Sequence, residues 1–175
     1  MAIIPDRKDW TWVLERACPE CGFDAAEVRF DDIPGRIREI AAAWQPVLRR
    51  EDVSVRPNEH TWSALEYAAH VRDVLGVFTT RLDLILDEDD PPFPNWDQDA
   101  TAEAERYNEQ DPGTVADELA DAAESAAEAF GSVAAADLDR QGRRSDGAVF
   151  TVDSLARYFL HDLEHHLHDV GAADS

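Results

Sequence analysis

Apolar residues recur at helical spacing in four long stretches of this chain, with polar and charged residues filling the positions between them. Ile33, Ile37, Ile40, Ala41, Trp44 and Leu48 share one face, which predicts a first helix over 33–50. Asp32-Ile33-Pro34-Gly35 suits its start, because proline is tolerated in the first turn where its missing N–H costs nothing. Tyr67, Val74, Val77, Phe78, Leu82 and Ile85 mark a second helix, from Thr61-Trp62-Ser63 to Leu86. Ser63 and Glu66 have the spacing of a capping box there, and Asp87-Glu88-Asp89-Asp90-Pro91-Pro92 ends it by charge repulsion and lost donors. Val115, Leu119, Ala122, Ala126, Phe130 and Val133 predict a third helix, opening at Asp111-Pro112-Gly113-Thr114 and reaching Ala135. Ala156, Phe159, Leu160, Leu163, Leu167 and Val170 predict a fourth, which starts at 151–153 and stops at Gly171, a suitable C′ glycine.

The rest of the chain connects these stretches. Residues 1–32 hold Trp10, Trp12, Phe23 and Phe30 without periodicity and read as an irregular arm with only short helical turns, packed over the bundle. The segment after the second helix is too long for a tight turn and predicts a crossover along the bundle, with a short helix at 99–109. Between Arg140 and Val152, the turn signal Ser145-Asp146-Gly147 allows a small hairpin. The last four residues are expected to fray. The expected fold is all-α: a four-helix bundle over 33–171 with a long crossover between its second and third helices, preceded by the 1–32 arm.

Charge narrows the function classes. Thirty-eight acidic against sixteen basic side chains give a formal net charge of -22. Such a surface repels phosphate backbones and anionic headgroups, so nucleic acid and membrane surfaces are not expected partners. No run approaches the roughly 20 apolar residues of a membrane-spanning helix, and Met1-Ala2-Ile3-Ile4-Pro5 passes at once into Asp6-Arg7-Lys8-Asp9, unlike a signal peptide. A cytoplasmic protein with reduced thiols is expected.

Five of the six histidines lie in two helical segments, His70 in the second helix and His161, His165, His166 and His168 in the fourth. At about 100° of rotation per residue, His166 falls at the edge of the apolar face and Asp162 one turn before it on the same edge. His161, His165 and His168 fall on roughly the opposite side, where they would complement the helix dipole. Treating His161 and His165 as ligands instead would turn the leucines of that helix toward water. His70 flanks the face of Tyr67, Val74 and Val77. His70, Asp162 and His166 thus form a 2-His-1-carboxylate set suited to a divalent metal with open positions, commonly Zn²⁺, Ni²⁺ or Fe²⁺. The competing reading is hydrogen-bonded histidine filler at a core edge.

Trp62-Ser63-Ala64-Leu65-Glu66-Tyr67-Ala68-Ala69-His70-Val71-Arg72-Asp73, together with Asp162-Leu163-Glu164-His165-His166-Leu167-His168-Asp169-Val170, resembles the DinB-like superfamily of metal-dependent four-helix proteins. That superfamily includes mycothiol-dependent maleylpyruvate isomerase. The resemblance covers residues 33–170 and implies metal ligands at His70, Asp162 and His166. Relatives usually carry His or Glu where Asp162 stands, and its shorter side chain would bring the ion closer to the fourth helix, weaken its binding or leave the site without an ion. His166-Leu167-His168-Asp169-Val170 also fits the His-x-x-Asp-Leu of isomerase-like members. The resemblance further implies a bundle that is often dimeric, holding zinc or nickel first among metals. Its reaction would activate water or a low-molecular-weight thiol, mycothiol in an actinobacterial source, for S-transfer, isomerisation or hydrolysis of a small molecule. A metal-free bundle serving as a binding module is the alternative.

Cys18-Pro19-Glu20-Cys21-Gly22 has the form of half a zinc ribbon, and the chain contains no other cysteine. Three readings stand: a reduced pair with packing duties, a reversible disulfide, or a zinc shared across a dimer. Trp96 and Asp97 in the crossover, and Arg140, Arg143 and Arg144 in the connector, lie where loops would cover an open site, and an arginine there would suit a substrate carboxylate.

Overall fold

The computed structural model describes residue 3 and residues 9–172. Its helices are α1 (Ile33–Leu48), α2 (Ala64–Asp87), α3 (Gln98–Ala104), α4 (Pro112–Gly131) and α5 (Val152–Asp169). The four long ones enclose the core. α4 and α5 each pack against both α1 and α2, so the order around the ring is α1, α4, α2, α5. The apolar stripes explain this: Ile33, Ile37, Trp44, Leu82, Ile85, Leu119, Phe130 and Phe159 are all essentially inaccessible to solvent. Phe159 joins two helices at the centre, its ring stacked on Phe78 at 4.9 Å and on Phe130 at 5.4 Å.

The long crossover holds α3 and a 3₁₀ turn at Tyr107–Glu109 in place of a helix through 99–109. Asp97 opens α3 by accepting the Asp99 and Ala100 amides. The third long helix stops at Gly131, short of Ala135. Glycine and serine favour the helix poorly there, and the Ser132 hydroxyl bonds back to the Glu128 carbonyl. Within α4, Ala123 takes the inward place expected of Ala122, which is half-buried. The hairpin in the connector is present, β1 (Gln141–Arg143) pairing antiparallel with β2 (Val149–Thr151). Backbone bonds from Arg143 to Pro91 and from Phe93 to Arg143 stitch it to the crossover. α5 ends in a Schellman arrangement, with Gly171 in the left-handed region at φ +69 and the Ala172 amide bonded to the Leu167 carbonyl. Ala172 is therefore packed rather than frayed; residues 173–175 lie outside the described residues.

Among its described residues, the arm has only 3₁₀ turns, at Thr11–Leu14, Ala25–Glu27 and Phe30–Asp32. It is nonetheless well buried, with Val13, Cys18, Phe23, Ala25 and Val28 among the core residues. Arg157 of α5 anchors it by donating to the Ala25 and Val28 carbonyls. The arm thus covers the side of α5 that the apolar stripe leaves to solvent. This overturns one expectation: His161 is buried at 4 % exposure, and the His165 side chain is 12 % exposed. The arm carries no helical period, so nothing in the stripe of α5 announces its second buried face. His168 is exposed, as expected. Among the described residues, no helix is long and apolar enough to cross a membrane.

Candidate metal centre

The first turn of α2 is fixed before it delivers any chemistry. The Ser63 hydroxyl accepts the Glu66 amide at 3.2 Å and the Glu66 carboxylate accepts the Ser63 amide at 2.8 Å, completing the capping box. Arg56 grips the same carboxylate with two donors, at 2.9 and 2.5 Å. Asn108, from the crossover, meets the Ser63 hydroxyl at 2.6 Å. A charged, buried group held from both sides keeps its geometry, so the start of the helix that carries His70 one turn further on is rigidly placed.

His70 is 1 % exposed. Its ring lies parallel to Trp96 of the crossover at 5.6 Å, 5.2 Å from Trp62, and edge-on to His166 at 4.8 Å. Its Nδ1 is buried with no hydrogen-bond partner. Such an atom costs free energy unless something else engages it. One polar atom from each of His70, Asp162 and His166 lies within 4.8 Å of the others. The i, i+4 relation on α5 is realised: His166 Nε2 stands 3.4 Å from Asp162 Oδ1. On the far side of the ring, His166 Nδ1 meets Asp169 Oδ2 at 3.0 Å. A carboxylate behind a ligating imidazole fixes its tautomer and orientation. Sequence reasoning noted Asp169 only within a motif; its spacings, i+3 from His166 and i+4 from His165, are the signal that finds it.

Electrostatics follow from this geometry. For His166, burial opposes the charged ring, but Asp162 and Asp169 outweigh it and raise the pKa to about 10. Asp162 is also disfavoured as an anion by burial, yet His166 and the other imidazoles hold it down at about 2. Burial and the positive His166 push His70 to about 3. Without an ion, the cluster is a His166–Asp162 ion pair facing a neutral His70 that has a lone pair to give.

A cavity of about 350 Å³ opens beside these groups, lined in part by Trp10, Trp62, Tyr67, Asp162 and His166. A groove of about 620 Å³ includes Trp96, Asp73 and Arg81 in its wall. The connector arginines are engaged elsewhere: Arg140 donates to the Ile85 and Glu88 carbonyls, Arg143 pairs with Asp90, and Arg144 pairs with Asp146 and meets Tyr158. Among the described residues, Arg81 is the arginine left with an unpartnered buried Nε. Of the crossover pair, Trp96 belongs to the site and Asp97 to the α3 cap. Cys18 and Cys21 are not joined by a disulfide in this structure, and burial pushes the Cys21 thiol up to about 12, so it is a poor nucleophile as it stands.

A helical bundle with two imidazoles and a carboxylate converging from two helices defines the class of protein. The sequence profile of the DinB superfamily matches residues 30–170, and the chain belongs to that superfamily. In fold it is similar to YfiT from Bacillus subtilis, described as a probable metal-dependent hydrolase with an unusual four-helix bundle topology. The TM-score is 0.72 at 17 % identity, over 83 % of this chain and 86 % of YfiT. No curated protein matches the sequence.

Proposed function

We propose that the chain is a metal-dependent enzyme acting on a small molecule, with His70, Asp162 and His166 as the ligands of one divalent ion. The observation that carries this reading is the buried, unpartnered Nδ1 of His70 beside an imidazole and a carboxylate from another helix. Filler histidines find hydrogen bonds in the protein, whereas the Nδ1 of this one finds none. Two imidazoles and one carboxylate suit zinc or nickel. A divalent ion there supplies Lewis acidity that makes water, or a low-molecular-weight thiol such as mycothiol, nucleophilic at neutral pH.

The chain's own residues prepare that chemistry. Asp169 keeps a proton on His166 Nδ1 and so presents Nε2 to the centre. Coordination requires the Nε2 proton of His166 to leave. Trp62 and Trp96 flank the His70 ring and limit its contact with water. Arg81, in the groove bordered by Trp96, suits an anionic group on the substrate. Hydrolysis and thiol transfer both fit this site, and the described relationship of YfiT to metal-dependent hydrolysis supports the former.

A metal-free binding module is favoured by one observation, that Asp162 and Asp169 already satisfy His166. Metal analysis of protein purified without a polyhistidine tag separates the two readings. The enzyme reading expects a divalent ion that His70→Ala and His166→Ala each release from this centre. Retention of that ion in both variants contradicts it.

A further inference from the structure

A second group of donors lies on the opposite side of α5, where the arm covers it. Cys18, Cys21, His161 and His165 each offer one ligand atom, and all four atoms lie within 4.8 Å of one another. Cys18 is 1 % exposed, and its Sγ is 3.8 Å from His165 Nδ1. The His161 Nε2 is buried with no hydrogen-bond partner. Its neighbours are the rings of Trp10 at 5.6 Å, Phe23 at 5.5 Å and His165 at 5.2 Å, and Nε2 makes no hydrogen bond to any of them.

The local backbone has the form a metal knuckle requires. The Gly22 amide bonds back to the Cys18 carbonyl at 2.9 Å, and the Cys18 amide bonds to the Phe23 carbonyl at 2.8 Å. This folds the Cys-x-x-Cys turn tightly, and Gly22 at φ +78 supplies the left-handed residue that closes it. On α5, His161 and His165 stand one turn apart and present both rings to the same side. His165 is oriented from behind, as His166 is. Its Nε2 faces Asp169 Oδ1 at 3.6 Å and Glu20 Oε2 at 3.8 Å, leaving Nδ1 turned to the cysteines.

We propose that Cys18, Cys21, His161 and His165 form a structural zinc site that clamps the N-terminal arm onto α5. Two thiolates and two imidazoles are a complete tetrahedral zinc set, with no position left for substrate. Two thiolate charges balance one Zn²⁺, so the buried site is neutral when filled. Two protons leave the thiols as the ion binds, and no redox change is involved. Because the chain supplies all four donors, no second copy is needed. The site also has a consequence for the first centre. Trp10, His161 and His165 line the same cavity as Asp162 and His166, so the clamp fixes one wall of the cavity that the catalytic proposal uses. The zinc site itself does not depend on that proposal.

The test uses the full chain, produced without a tag and purified under reducing conditions. In His70→Ala, which removes a ligand of the first centre only, about one zinc per chain is expected to remain. Its zinc-edge X-ray absorption should show two sulfurs at about 2.3 Å and two nitrogens at about 2.0–2.1 Å. Cobalt loading of that variant should give a thiolate-to-metal charge-transfer band that Cys21→Ser weakens and replacement of both cysteines by serine abolishes. Should the cysteine variants fail to fold, thiol labelling of the unmutated chain decides: both thiols should resist the reagent until a chelator is added. Loss of all zinc in His70→Ala, absorption with oxygen and nitrogen donors alone, or isolation of a Cys18–Cys21 disulfide would each overturn the site.

Discussion

The two sides of α5 carry similar polar groups in different settings. Toward α2, Asp162 and His166 meet one imidazole, and a cavity stays open beside them. Toward the arm, His161 and His165 meet two cysteines, closed over by Trp10 and Phe23. Three donors leave coordination positions free for reaction at an ion, while four complete a tetrahedral set and suit architecture. The difference comes from what packs on each face, since a single helix supplies both halves. Asp169 sits between them, one carboxylate oxygen behind His166 and the other behind His165.

The largest effect should come from His70→Ala. It removes one of three donors, and affinity at the first centre should fall by more than about 100-fold, since even partners that only orient ligands cost about 10–100-fold. Zinc at the cysteine centre should be unchanged. Competition with a calibrated chelator reads both, and equal loss at the two centres would show that they are a single site.

Asp169→Asn should weaken both centres, each by about 10–100-fold, because it removes the shared orienting charge from His165 and His166. A loss confined to one centre would show that the other imidazole is held by different means, Glu20 in the case of His165.

The chelated protein should lose stability in acid through a neutral histidine on each side of α5. Burial holds the folded pKa of His70 at about 3 and that of His161 at about 4, both below 6.5. A depressed histidine stabilises fully above its unfolded value, and this contribution is lost as pH falls from there toward the folded value. Each should therefore cost about 1.4 kcal/mol per pH unit below 6.5. The raised His166 acts oppositely: its contribution is complete below 6.5 and lost as pH rises through about 10. Thermal unfolding with chelator, compared between the unmutated chain and His161→Phe, measures the first slope. An unchanged slope would mean that the arm leaves His161 accessible to protons.

The smallest effect separates local from long-range control. Ser63→Ala removes half of the capping box and should cost about 1 kcal/mol by denaturant titration. Ion affinity at the first centre should weaken with it, since His70 lies in the next turn of the same helix, and the cysteine centre should not respond.

Much of the bundle was legible in the sequence because its signals are local. The stripe of Ile33, Ile37, Ile40, Trp44 and Leu48 and the Ser63–Glu66 pair each act within a few residues, and the structure realises both. The convergence of His70, Asp162 and His166 followed from the same logic, since the apolar edge of a helix points at the partner it packs on. The second cluster did not follow. Cys18 and His165 are 147 residues apart, and the arm that joins them folds as short 3₁₀ turns with no period to read. The two half-signatures, Cys-x-x-Cys and His-x-x-x-His, were both visible. What was missing was the knowledge that α5 is buried on two sides. The connector arginines likewise have the right composition for substrate binding, but only the fold shows their donors occupied by Asp90, Asp146 and backbone carbonyls.

The most direct measurement is an anomalous-difference map from crystals of the untagged protein, recorded just above and just below the absorption edge of the bound metal. The account predicts a peak within coordination distance of His70, Asp162 and His166. Ordered water at that position in fully metal-supplemented crystals, with His70 Nδ1 bonded to it, would contradict the account.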